Sequence, residues 1–152
     1  ADFATLVSRR VDADRSIVVH LATESGSQAA TAGLECICDH LDVELDAAER
    51  IAVTAPAAGH QFLETTAAGS LLVVEQRERE VPEDAWGPLV TLFANARYRG
   101  VHAVLVAPGV PTLVGRAVNV RVESVDDGFR GALLEPPPDD PERTREIDLG
   151  TL

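Results

Sequence analysis

The chain has 152 residues, 45% of them hydrophobic and 25% charged, with a formal net charge of -12 and a pI near 4.6. That length supports one domain with a sizeable core, and no apolar stretch approaches the roughly 20 residues of a membrane-spanning helix. All 13 basic residues are arginine, and so acidic a body repels phosphate backbones, which argues against autonomous binding to nucleic acid.

No basic-plus-apolar leader opens the sequence, so a cytoplasmic protein with no membrane contact is expected. The chain contains no methionine, so a trimmed chain or a piece of a larger protein is also expected.

In chain order, Ala1 to Arg15 reads as a short helix and connector. The first strand is Ser16 to Ala22, nearly all apolar, as a strand buried on both faces should be. A small polar turn follows at Thr23–Ser27. Gln28 to Leu41 then carries Ala29, Ala32, Leu34, Ile37 and Leu41 at helical spacing. Arg50 to Ala55 is a second strand stopped by Pro56, Gly59 to Ala68 a short helix, and Ser70 to Glu75 a third strand. Pro82-Glu83-Asp84 has the proline and acids of a first helical turn. This helix runs to about Arg99 and ends at Gly100.

Val101 to Ala107 is a fourth strand, broken by Pro108-Gly109. Ala117 to Ser124 alternates apolar and polar, marking a half-exposed strand. A turn at Asp126–Gly128 lets Phe129 to Glu135 return as its hairpin partner. Pro136 to Pro141 is an extended loop, and Arg145 to Leu149 a last edge strand. Short strands alternating with helices imply one domain over residues 1–152. Its expected form is three-layer α/β, with a mostly parallel sheet of about five strands and a C-terminal antiparallel hairpin. The parts are a connector (1–15), a core (16–107) and a hairpin tail (117–150).

The order strand, small-residue turn, helix, strand, helix, strand ending in an acid, helix, strand resembles that of P-loop NTPases. The tail is similar to the RecA/RadA/KaiC branch, where a pair of antiparallel strands and a short final strand follow the core. Leu89 to Leu133 also resembles FtsK-type motor ATPases. A working phosphate loop reads G-x-x-x-x-G-K-[S/T]; its glycines admit backbone N–H groups to the phosphates, its lysine neutralises charge and its hydroxyl holds magnesium. The matching stretch here is Ala22 to Ala29. Ser27 stands in place of the last glycine, Gln28 of the lysine and Ala29 of the hydroxyl, while Glu24 adds a negative charge.

Leu71-Leu-Val-Val-Glu75 has the shape of the motif whose acid orders magnesium, with Gln76 where a catalytic glutamate often sits; a buried strand can also simply end in Glu-Gln. The resemblance thus implies a RecA-like domain without its machinery. No catalytic residue, metal or cofactor is expected. The implied role is regulatory or scaffolding, beside a protein partner such as a RecA-type ATPase, a polymerase or another DNA-repair factor.

The same loop also resembles the flavodoxin phosphate loop. Thr23, Ser25, Gly26 and Ser27 could hold a flavin or nucleotide phosphate at a helix N-terminus without any lysine. Against this, the loops Pro56 to His60 and Pro108 to Pro111 offer no Trp or Tyr to stack on a flavin.

Cys36 and Cys38, two apart on a helix, face different sides and read as core residues. Without a matching His/Cys pair they make no zinc site. His20 and His102 read as satisfied or edge residues, His40 as a helix-end cation and His60–Glu64 as an i, i+4 pair. Arg77, Arg79, Arg97 and Arg99 read either as solvated charges or as a cluster for an acidic partner or a phosphate. Trp86 reads either as packing or as an interface anchor, and Trp86, Arg97 and Arg99 are the interface candidates.

Overall fold

A computed structural model describes residues 3–109, 117–135 and 145–152. The elements are α1 (Phe3–Asp14), β1 (Val18–Leu21), α2 (Gln28–Leu41), β2 (Glu49–Ala52), α3 (Pro56–Thr65), β3 (Leu71–Glu75), α4 (Gly87–Tyr98), β4 (His102–Val106), β5 (Ala117–Val125), β6 (Gly128–Glu135) and β7 (Arg145–Thr151). Short 3-10 turns stand at Leu45–Ala47 and Glu83–Ala85. The proline-rich stretch expected after β6, and the last two residues of the loop expected after β4, lie outside the described residues.

One seven-stranded sheet runs in the order β2-β3-β4-β1-β5-β6-β7. The first five strands in this order are parallel to one another, and β5–β6 and β6–β7 are antiparallel. The expected α/β class, the mostly parallel sheet and the C-terminal hairpin are therefore present. The hairpin is not an appendage, because β5 pairs in parallel with β1 on one side and opens the hairpin on the other.

Continuous apolar runs fill two cores because successive strand residues face opposite sides. Leu71, Val73, Val104 and Val106 join α1 and α2 on one face, while Leu72, Val74, Ala103 and Leu105 join α3 and α4 on the other. His20 interrupts this pattern in β1 and is 1% exposed. Its Nε2 donates to the Ala107 carbonyl at 3.0 Å, and its Nδ1 lies 2.8 Å from the Asn119 side-chain amide. A ring buried in the sheet is therefore satisfied from β5 and from the end of β4.

Several boundaries differ from expectation. Pro56 does not only stop the second strand but opens α3, which was expected from Gly59, since a proline is well placed in a first helical turn. The fourth helix begins at Gly87 with Pro88 in its first turn, and Pro82 caps a separate 3-10 turn. The second strand is Glu49–Ala52. Cys38 is buried, and burial, with Asp39 beside it, pushes its thiol up from the ordinary 9.0; Cys36 is half-buried.

Candidate functional site

Parallel strands bring their carboxyl ends to one edge, and ligands of open α/β sheets bind in the crevice outside that edge. Here β1 hands the chain to α2 on one face, whereas α3 and α4, which follow β2 and β3, pack on the opposite face. The loop after β1 therefore lies where the helical connections change sides.

That loop is a tight turn over Glu24–Ser27. The Ser27 N–H donates to the Glu24 carbonyl at 3.2 Å, and the Ser27 hydroxyl donates to the same oxygen at 2.7 Å. Gly26 takes φ +82, a left-handed conformation that a side chain disfavours. Ser27 then caps α2, its Oγ accepting from the Ala30 N–H at 3.1 Å. Replacing Ser27 by alanine is expected to cost about 1 kcal/mol, read as a lowered urea midpoint with unchanged slope; an unchanged midpoint would mean that this cap is not formed.

Glu75 ends β3 beside this turn and is 5% exposed. Ser25 Oγ donates to its Oε1 at 3.2 Å. Arg50 of β2 donates to the same oxygen, and Arg77 Nη2 donates to Oε2 at 3.2 Å. Arg77 also donates to the Arg50 carbonyl at 3.3 Å, which ties the two arginines together. Burial by itself would raise the Glu75 carboxyl, but Arg50, Arg77 and Ser25 together outweigh it and hold the group below its ordinary 4.5. The carboxylate stays ionised, and its lone pairs are directed to two guanidinium groups and a hydroxyl.

Thr23 is 8% exposed, and its Oγ1 has no hydrogen-bond partner among the described residues. Gln28 is exposed and Ala29 half-buried in the first turn of α2. Of the loop residues Thr23, Ser25, Gly26 and Ser27, Ser25 reaches Glu75 and Ser27 caps α2. Arg50 was not singled out in the sequence because nothing in a strand-opening arginine signals a partner 25 residues away. Arg77 looked solvated because Glu78 and Glu80 follow it. Among the described residues, no group of three His, Cys, Asp or Glu side chains could hold a metal ion.

The four arginines do not form one cluster. Arg77 belongs to the carboxyl edge, whereas Arg97 donates to the Ser16 carbonyl and Arg99 Nη1 to the Leu63 carbonyl at 2.9 Å, beside the strands' amino ends. Trp86 is half-buried against the α3/α4 core. His60 pairs not with Glu64 but across to α4, accepting at Nδ1 from the Asn95 amide at 3.3 Å. A cleft of about 390 Å³ opens at the amino edge between α1 and α2, lined by Val7, Val11, Val19, Ile37 and Val104, with His40 and His102 beside them. It lies at the far end of the sheet from the Thr23–Ser27 turn.

No protein-family model matches this chain, and no curated protein matches it. Among the described residues no helix is long and apolar enough to cross a membrane.

Proposed function

We propose that the chain is a RecA-like domain that has lost its phosphate-holding and magnesium-holding groups and acts as a non-catalytic regulatory or scaffolding partner of another protein. The observation that carries this reading is the engagement of Glu75. The resemblance requires an acid at the end of the third strand, next to the loop after the first, that is available to order magnesium. Glu75 stands there, but Arg50, Arg77 and Ser25 take its oxygens. A magnesium ion arriving there would meet two fixed positive charges.

The turn offers no compensation. Gln28 and Ala29 supply neither an ammonium group nor a hydroxyl, and exposed Glu24 opposes a triphosphate. The antiparallel β5–β6–β7 extension adds support from the C-terminal side. By the same resemblance, the process served is DNA repair, recombination or DNA-linked regulation, and the partner a RecA-type ATPase, a polymerase or another repair factor.

Calorimetric titration with Mg-ATP is expected to give no heat of binding at micromolar protein, with no phosphate release above background. Micromolar affinity would sink the reading.

A second reading is favoured by Thr23, whose buried, unpartnered hydroxyl lies in the loop that leads into the N-terminus of α2. Such a terminus presents unsatisfied N–H groups to an anion. On this reading the loop holds a flavin or nucleotide phosphate without magnesium. Titrating the same protein with FMN and ADP in EDTA separates the two, since ligand at about 100 times Kd stabilises by about 2.7 kcal/mol and raises the melting temperature by several degrees. No shift rejects the second reading and leaves the first.

A further inference from the structure

We propose that the cleft at the amino edge, between α1 and α2, binds a small monocarboxylate with a hydrocarbon body, its carboxylate at Arg97. The cleft lies at the opposite end of the sheet from Glu75 and the Thr23–Ser27 turn, so its occupancy does not depend on the regulatory role proposed for the chain. It holds about 390 Å³, within the range of small-molecule sites. Its floor is the sheet itself, at Val19 of β1 and Val104 of β4, which are register neighbours. Val7 of α1 and Ile37 of α2 line its walls.

Val19 points to hydrocarbon. β1 is the middle strand of the seven and is paired on both sides. Val19 faces the α1/α2 core, as Leu21 does two residues further on. Leu21 is fully buried, but Val19 is only half-buried, because the cleft reaches it. Val11 and Leu41, also in the lining, are half-buried too. Apolar side chains at the centre of a sheet gain stability when hydrocarbon replaces the water over them.

The polar end of the ligand is identified by charge. Arg10, Arg50, Arg77, Arg121, Arg130 and Arg145 each pair with a carboxylate. Arg97 instead donates through Nη1 to the Ser16 carbonyl, and both residues line the cleft. That bond fixes the guanidinium at the mouth and uses one of its N–H donors, so the others can take a carboxylate in a charge-assisted pair. His102 precedes Val104 on the same face of β4. Burial holds its imidazole below the ordinary 6.5, so at neutral pH it is an uncharged hydrogen-bonding group. His40 adds a second ring from α2. Asp12, the acid among the described lining residues, stands on α1, and the carbonyl ends of α1 and α2 point to the same edge. These repel a carboxylate from the α1 side and leave the Arg97 side as its place. The net charge of -12 disfavours anions from a distance, but about 0.1 M salt screens charges beyond roughly 10 Å.

Calorimetric titration of the full chain with octanoate, octanol and octylamine, in about 0.1 M salt, tests this. Octanoate is expected to bind about tenfold or more tightly than octanol, and octylamine weakest of the three. Lengthening the acid by one methylene, to nonanoate, is expected to tighten binding by about fourfold. Arg97→Gln is expected to lower octanoate to the affinity of octanol and to leave octanol unchanged, whereas Arg97→Lys retains most of the preference. Val11→Trp, which fills the cleft from its wall, is expected to abolish binding of both with an unchanged circular dichroism spectrum. Should a variant fail to fold, the three probes on the wild-type chain still decide. Equal affinity for octanoate and octanol, or tighter binding of octylamine, would overturn the proposal. So would no binding of octanoate, the result expected if the cleft instead receives an apolar side chain of a protein partner, and so would octanoate binding that folded Val11→Trp leaves intact.

Discussion

Replacing Arg50 and Arg77 together by alanine lowers stability by about 3 kcal/mol at neutral pH, and most of that loss disappears on acidification. The substitution leaves Glu75 buried with only the Ser25 hydroxyl to satisfy it. In the wild type the carboxyl is held below its ordinary 4.5, chiefly by Arg50 against the opposing effect of burial. Its contribution is therefore fully present above that ordinary value and is lost as pH falls through the lower folded value.

In the variant the sign reverses. Burial without counter-charge raises the carboxyl above its ordinary value, so ionising it costs stability at neutral pH and the cost vanishes as pH falls. Urea unfolding of both proteins from pH 7 downward reads the difference directly. Adding Glu75→Gln to the double variant removes the buried charge and is expected to recover most of the loss at pH 7. A deficit that is constant with pH would show that the arginines contribute packing rather than charge compensation.

Phe3→Ala is expected to cost about 3–5 kcal/mol, the largest effect of a single truncation in the α1/α2 core. Phe3 is 1% exposed and anchors α1 over the hairpin. Its ring lies so close to β6 that a Cβ built on Gly131 would overlap Phe3 Cε2, so only glycine permits this contact. Gly131→Ala alone is expected to cost about 1–3 kcal/mol through overpacking. Together the two substitutions should cost less than their sum by about 1–2 kcal/mol, because the space left by the ring accepts the new methyl group. Strict additivity in denaturant unfolding would mean that the ring does not lie on Gly131.

The anchoring also explains why the opening segment was legible as a short helix and connector but not as part of the core. Phe3, Ala4 and Val7 repeat at helical spacing, but their partners on β5, β6 and β7 lie more than 100 residues further along the chain. Nothing local assigns them a core. The boundary of the fourth helix was misplaced for a related reason: Pro82-Glu-Asp and Gly87-Pro88 are both acceptable first turns. Packing of Leu89, Leu92, Phe93 and Ala96 against β3 and β4 selects the second.

The loop and the interface candidates divide in the same way. Thr23 to Ser27 was legible because a strand, a small polar turn and a capped helix are all local, and Ser27 caps its own helix. Tyr98 went unnoticed between Arg97 and Arg99, since a tyrosine in a helix reads equally well as core or surface. Its exposure follows from its place on α4, on the side turned away from the buried Leu89, Leu92, Phe93 and Ala96.

By itself the sequence determined the alternation of strands and helices, the two-sided burial of β1, the hairpin tail, and the absence of lysine and hydroxyl at Gln28 and Ala29. Each of these follows from residue type and short-range period. Only the tertiary structure decided that β1 lies between β4 and β5, that β5 extends the same sheet, and that Glu75 is held by Arg50 and Arg77. The physical reason is that strand order and ion pairing join segments whose separation in the chain carries no local signal. Whether a carboxylate at a strand end is free for a metal or already neutralised depends on which strand folds beside it.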